Sequence, residues 1–126
     1  MKARGGSKTW YVADGWMPLK DKTADAGFEG HEAIMILNSS AKDAEVLMDV
    51  YFEKKEPVEN IRIAVPAKRI KCIRMDHPEE IGGVKLERLF QYALRFRSNI
   101  EVVIQYGRMD VTQPNLAYIG TMAYSE

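Results

Sequence analysis

The sequence predicts an all-β chain: a single-domain antiparallel β-sandwich, jelly-roll-like, of about eight short strands. Three observations lead there. Runs rich in β-branched and aromatic residues are separated by turn-forming residues about every 8–12 positions. No sustained strand-then-helix alternation runs along the chain, which argues against a parallel α/β fold. The stretch His31–Asn38 is apolar on both faces, with Ala33, Met35 and Leu37 on one side and Ile34 and Ile36 on the other. A strand of that kind belongs inside a packed structure rather than at its edge.

Taken in order, residues 1–7 are Gly-rich and basic and read as a loose arm. Thr9, Trp10, Tyr11 and Val12 favour a strand over 8–14, closed by an Asp14-Gly15 turn. From Trp16 to Gly30 no period persists, and a loop of that length is often functional or partner-facing. The strand 31–38 follows, then a turn over 38–43. In 44–53, Val46, Met48, Val50 and Phe52 alternate with Glu45, Leu47, Asp49 and Tyr51, a half-buried strand expected to form a hairpin with 31–38. Ile61, Ile63 and Val65 mark the next strand, and Pro66 forces it to end, bulge or cross over. Strand resumes over 69–75, where the charge parity shifts between Lys71 and Arg74, as at a bulge or an early end. Residues 76–86 read as loop. The stretch 86–91 fits helix or strand, while 92–98 alternates as a strand. Ser98-Asn99 reads as a tight turn before a strand at 100–106, and a last strand runs over 116–124.

At 126 residues the chain is long enough to bury a core without covalent staples. Its 18 basic and 18 acidic residues leave a formal net charge of zero, so nothing global draws it to nucleic acid or acidic membranes. The single cysteine, Cys72, excludes an internal disulfide and a cysteine metal cluster. The opening residues lack the apolar run of a signal peptide. No segment reaches the ~20 apolar residues of a membrane-spanning helix. The expected compartment is therefore the cytoplasm.

Few side chains gather into recognisable chemistry. His31-Glu32 resembles an acid–base pair, but neighbours on a strand point to opposite faces, so a strand-entry pair is the plainer reading. With His31 and His77 the only histidines, no metal site and no cofactor are expected. Cys72 reads as a small buried hydrophobe within a strand. Lys68, Arg69, Lys71 and Arg74 form the most basic run, fit to meet phosphates or to guard a strand edge. Trp10 reads as core, and Trp16-Met17-Pro18 as the better interface candidate. Gln105, Arg108 and Asp110 close a strand together, as ligand contacts or as a cross-strand ion pair.

Trp10 with Asp14-Gly15, His31-Glu32 through Ile36-Leu37-Asn38, Tyr51-Phe52, Glu56-Pro57, Val65 through Arg69, Arg74, Ser98-Asn99, Val102 through Gln105 and Arg108-Met109-Asp110 stand in an order that resembles the sensory rhodopsin transducer family. The resemblance covers most of the chain. It implies a β-sandwich subunit in a homotetramer and a non-enzymatic, cytoplasmic signalling or binding role. The implied partners are a membrane photoreceptor or another signalling protein, a small ligand such as a sugar, and DNA. It supplies no catalytic residues. Among the matched positions, His31, Glu32, Arg69, Asn99, Gln105 and Arg108 are the expected pocket residues, being polar at strand ends. The basic run 68–74 is the alternative, a nucleic-acid contact. The chain ends at Tyr124-Ser125-Glu126, soon after the last expected strand, so any partner-binding tail is expected to be short or absent.

Overall fold

The computed structural model describes residues 5–20, 28–112 and 117–126. The chain is all-β and antiparallel: β1 (Ser7–Trp16), β2 (His31–Asn38), β3 (Ala44–Phe52), β4 (Val58–Val65), β5 (Arg69–Arg74), β6 (Gln91–Asp110), β7 (Ala117–Met122) and β8 (Tyr124–Ser125), with one 3-10 turn at Pro78–Glu80. The organising element is β6, whose 20 residues would span about 65 Å if straight. Its first half lies in the order β4-β3-β6-β1-β8. Its second half lies between β2 and β7, and β2 also carries β5. All eight strands thus form one hydrogen-bonded sheet with two halves. Both halves contribute to one buried cluster, with Val46, Met48, Ile63, Leu94 and Phe96 from the first and Ile34, Ile36, Ile73 and Ile104 from the second.

The passage between halves occurs at Ser98–Val102. There Ser7 and Thr9 of β1 face Val102 and Arg97, five positions apart on β6, so the ladder breaks while the strand runs on. Strands that change sheets do so at such corners. The expected Ser98-Asn99 turn is this corner: pairing is interrupted, but the direction is not reversed. Asp14-Gly15 is likewise no turn. Both residues belong to β1, where a register shift between Val12 and Gly15 leaves Gly15 opposite Tyr92. A Cβ on Gly15 would stand 2.5 Å from the Tyr92 ring, so glycine is required by close approach.

The expected hairpin of 31–38 with 44–53 does not form. β2 pairs with β5 and β6, and β3 with β4 and β6, because the long strand takes the central place in both half-sheets. The strand β2 is central as expected, yet only one of its faces is closed along its length: Ile34 and Ile36 are fully buried, while the other face opens from buried Ala33 through half-buried Met35 to Leu37 at 42% exposure. After Pro66 the chain crosses from β4 in one half to β5 in the other, turning through Lys68 at φ 58°. β5 then ends early, at Arg74, without a bulge.

Ser7, expected in a loose arm, is buried and opens β1, while residues 1–4 lie outside the described residues. Of the irregular stretch 16–30, Trp16 belongs to β1, Met17 and Pro18 are buried, and 21–27 lie outside the described residues. Met17 and Pro18 are therefore core rather than interface. The last expected strand divides into β7 and β8, with its start at Leu116 outside the described residues. No helix among the described residues is long and apolar enough to cross a membrane.

Candidate functional site

Burying a carboxylate costs several kcal/mol unless hydrogen bonds and cations compensate it. Three carboxylates are drawn into this structure, and each has such a retinue.

Glu32 is fully buried on the inner face of β2. Its Oε1 accepts the Tyr92 hydroxyl at 2.6 Å, and its Oε2 accepts the Trp16 backbone N–H at 3.2 Å and Arg108 Nε at 3.1 Å. The geometry follows from register: Glu32 faces Arg108 across β2 and β6, and Tyr92 rises from the start of β6. The Arg108 guanidinium also lies 5.4 Å from the Trp16 ring and 5.7 Å from that of Tyr106. Burial pushes the Glu32 carboxyl above its usual range, against the opposing pull of Tyr92, Trp16 and Arg108. Burial, then the Glu32 charge and hydrogen bond, push the Tyr92 hydroxyl well up.

Asp49 is fully buried beneath the opposite, polar surface. It accepts Arg95 Nε at 2.9 Å, Arg97 at 3.0 and 3.1 Å, and the Asn60 N–H at 2.8 Å. Burial pushes its carboxyl up, but these donors prevail and hold it low. Asp76 accepts a two-pronged contact from Arg74, both bonds at 2.8 Å, and lies 3.5 Å from Arg88. There too burial is outweighed, first by Arg74, and the carboxyl is lowered. Arg88 in turn donates to the carbonyls of Pro18 and Gly30, tying down the ends of the long connection. Two groups of three ligand-type side chains, Glu29/Asp76/His77 and His77/Glu79/Glu80, come together among the described residues. A metal ion in the first would compete with two guanidinium groups.

Of the six expected pocket residues, the structure brings Glu32 and Arg108 into direct contact. His31 is adjacent but turns the other way, its Nδ1 2.9 Å from the Glu29 carbonyl. Gln105 lies on that outer face too, opposite Met35, and is exposed. Arg69 pairs with Asn38 at the far end of β2, about 20 Å of strand from Glu32. Asn99 sits at the β6 corner, where its Oδ1 accepts the Glu45 N–H. In the basic run, Lys68, Arg69 and Lys71 are exposed on or beside the edge strand β5, whereas Arg74 is committed to Asp76 and Glu29. Arg108 pairs with Glu32 and not with Asp110, whose oxygen takes Thr112. Cys72 is exposed, contrary to expectation, because it lies on the outer face of an edge strand.

Sequence reasoning missed Tyr92, Asp49 and Asp76. Asp49 carried a signal, an acid on the strand face opposite Val46, Met48 and Val50, but only the ladder sets it beside two arginines of β6. Also missed was a cleft of about 330 Å³ lined by Phe52, Lys54, Lys55, Leu86, Phe90 and Tyr92, among others. Tyr92 thus lines the cleft and donates its hydroxyl to the carboxylate of the Glu32–Arg108 pair.

The two outer sheet faces differ. Over the first half-sheet, Thr9, Tyr11, Asp49, Arg62, Arg95 and Arg97 share a face by register. Over the second, Ile70, Leu37 and Val103 form one row, and Cys72, Met35, Gln105 and Met122 the next. Ile70 is 65% exposed, Met122 49% and Tyr118, on the same face, 58%.

With this geometry in view, the family described as Anabaena sensory rhodopsin transducer matches the chain over residues 5–125. The chain belongs to that family. The solved structure of the Anabaena sensory rhodopsin transducer superposes with a TM-score of 0.71 at 30% identity, covering 86% of this chain and 92% of that one. The crystal structure of Thermotoga maritima 1070 superposes with a TM-score of 0.80 over 96% of each chain, at 23% identity, a likeness of fold alone. No curated protein sequence matches. The resemblance drawn from sequence is thus borne out, and with it the antiparallel all-β class.

Proposed function

We propose that this chain is a non-enzymatic cytoplasmic signalling adaptor that works as a homotetramer and docks protein partners, a rhodopsin-type membrane photoreceptor among them. The asymmetry of the outer faces carries the reading. One face is charged and self-compensated; the other presents Leu37, Ile70, Tyr118 and Met122 to solvent. Contiguous exposed apolar surface of this kind marks contact sites. Family membership supports the same reading, and the saturation of Glu32, Asp49 and Asp76 by structural partners leaves them poorly placed for turnover. The test is sedimentation of the purified chain. A mass of four 14.4 kDa subunits is expected for the native protein, and smaller species for L37E/I70E. A native mass of one subunit overturns the proposal.

The cleft at Phe52, Phe90 and Tyr92 favours a second reading, a small-ligand sensor with sugars among its candidates. Glu32 and Arg108 then act through Tyr92 rather than by touching the ligand. Titration with sugars followed by amide chemical shifts tests it: shifts centred on 52–55 and 86–92 support it, and shifts nowhere in the chain oppose it. A DNA-binding role has three exposed cations behind it, Lys68, Arg69 and Lys71. It requires duplex affinity whose log–log dependence on salt has a slope of roughly −3; a salt-independent interaction would remove it.

A further inference from the structure

We infer that the cleft beside Tyr92 is a binding site for a small aromatic carboxylate. The inference rests on the sensor reading above and gives that site a ligand class. The volume of about 330 Å³ lies at the lower end of the range typical of small-molecule sites, enough for one or two fused rings. Three aromatic side chains line it: Phe52 from the end of β3, Tyr92 from the start of β6, and Phe90 from the segment between.

Phe90 is 62% exposed, an unusual position for a phenylalanine without a partner. Its exposure is built in. Leu89, just before it, holds a left-handed backbone at φ 68°, and its N–H donates to the Met17 carbonyl at 2.6 Å. Branched residues seldom adopt that conformation, and such strain gathers where a site must be presented. Tyr92 is fixed from behind, its hydroxyl on Glu32 and its ring against Gly15. Tyr92 is only 3% exposed, so it closes the floor of the cleft, and an aromatic guest packs chiefly on Phe52 and Phe90, where offset or edge-on packing of rings is favourable beyond simple burial.

The charge follows from Lys55. Its ammonium lies 4.4 Å from the centre of the Phe52 ring, a cation held over an aromatic face at the cleft. Among the described residues no carboxylate is in ion-pair contact with Lys55 or with its neighbour Lys54, although Glu53 and Glu87 also line the rim. A carboxylate on the guest would supply the missing partner while its ring fills the apolar space. Glu53 and Glu87 balance Lys54 and Lys55 over the rim as a whole, so the preference for an aromatic anion rests on Lys55 alone, placed against the Phe52 ring with no carboxylate among the described residues paired to it.

The test uses the full-length chain and four probes: 2-naphthoate, 2-naphthalenemethanol, 2-naphthylmethylammonium and glucose, each titrated calorimetrically and by amide chemical shifts. Naphthoate is expected to bind with a dissociation constant below about 1 mM and about tenfold more tightly than the neutral alcohol. K55M should bring naphthoate down to the level of the alcohol. F90A, at a surface position, should weaken naphthoate and the alcohol alike, threefold to tenfold. Circular dichroism verifies that both variants keep the native spectrum. Naphthoate binding no tighter than the alcohol, or indifferent to K55M, overturns the inference while leaving a sensor of neutral rings. Glucose shifting these residues where naphthoate does not overturns it in favour of a sugar site. Silence from all four probes removes this inference and the sensor reading together.

Discussion

Replacing Arg108 by Met leaves Glu32 as a carboxylate in the core without its cation, and the cost should depend on pH in a specific way. Removing one partner of a buried pair costs about 3–5 kcal/mol. The lower end applies here, since the Arg108 side chain is 19% exposed and Tyr92 and Trp16 still donate to the carboxylate. A loss of ~3 kcal/mol at pH 7 corresponds to a fall in melting temperature of roughly 12 °C for a domain of this size. Glu32 has an escape: it can take up a proton. Burial already raises its folded-state pKa above the unfolded value of 4.5, and without Arg108 the rise grows. A raised carboxyl favours folding fully below the unfolded pKa and loses that advantage as pH climbs through the folded one.

Each pH unit over which the folded variant holds one proton more than the unfolded chain is worth about 1.36 kcal/mol. Between pH 7 and pH 5 the variant should thus recover part of its loss relative to wild type, with a ceiling of about 2.7 kcal/mol over the two units. What remains reflects the lost stacking on Trp16 and Tyr106 and does not titrate. Urea unfolding followed by circular dichroism, at one fixed protomer concentration, reads the difference directly. The double variant E32Q/R108M should be more stable than R108M at pH 7 and similar to it at pH 5. An equal loss from R108M at both pH values would refute the reasoning, since the cost would then not come from a stranded charge.

Three further outcomes are expected. G15A should destabilise by about 1–3 kcal/mol, because the new Cβ meets a Tyr92 ring that Glu32 anchors; an unchanged urea midpoint would show the ring to be free to move. D49N should cost about 2–3 kcal/mol at pH 7. Because the Asp49 carboxyl is held below its ordinary range, its contribution is present above the unfolded value of 3.8 and lost as pH falls through the folded one. The D49N stability profile should therefore be flatter than wild type below about pH 4. Thiol labelling at Cys72 should be rapid in the dispersed L37E/I70E variant and slowed in the native assembly, and equal rates would place the tetramer contact elsewhere.

How much of this was legible in the sequence differs between strand and site. Period-two alternation located nearly every strand, because the inward sets Val46/Met48/Val50 and Ile61/Ile63/Val65 are local facts. It failed at Ser98-Asn99 for a physical reason: a strand changing half-sheets interrupts its ladder as a turn does, and polar residues suit both. The false hairpin of 31–38 with 44–53 followed from the same error, since two separate strands cannot do what one 20-residue strand does at the centre of both half-sheets. At the candidate site, Glu32 and Arg108 were singled out as polar residues at strand ends, and the register of β2 against β6 makes them partners. Tyr92 was invisible because it reads as one more core aromatic. What distinguishes it is Gly15, 77 residues away, whose missing side chain lets the ring reach Glu32. That contact joins the polar pair to the cleft, so the residue linking the two is one that neither composition nor local spacing could single out.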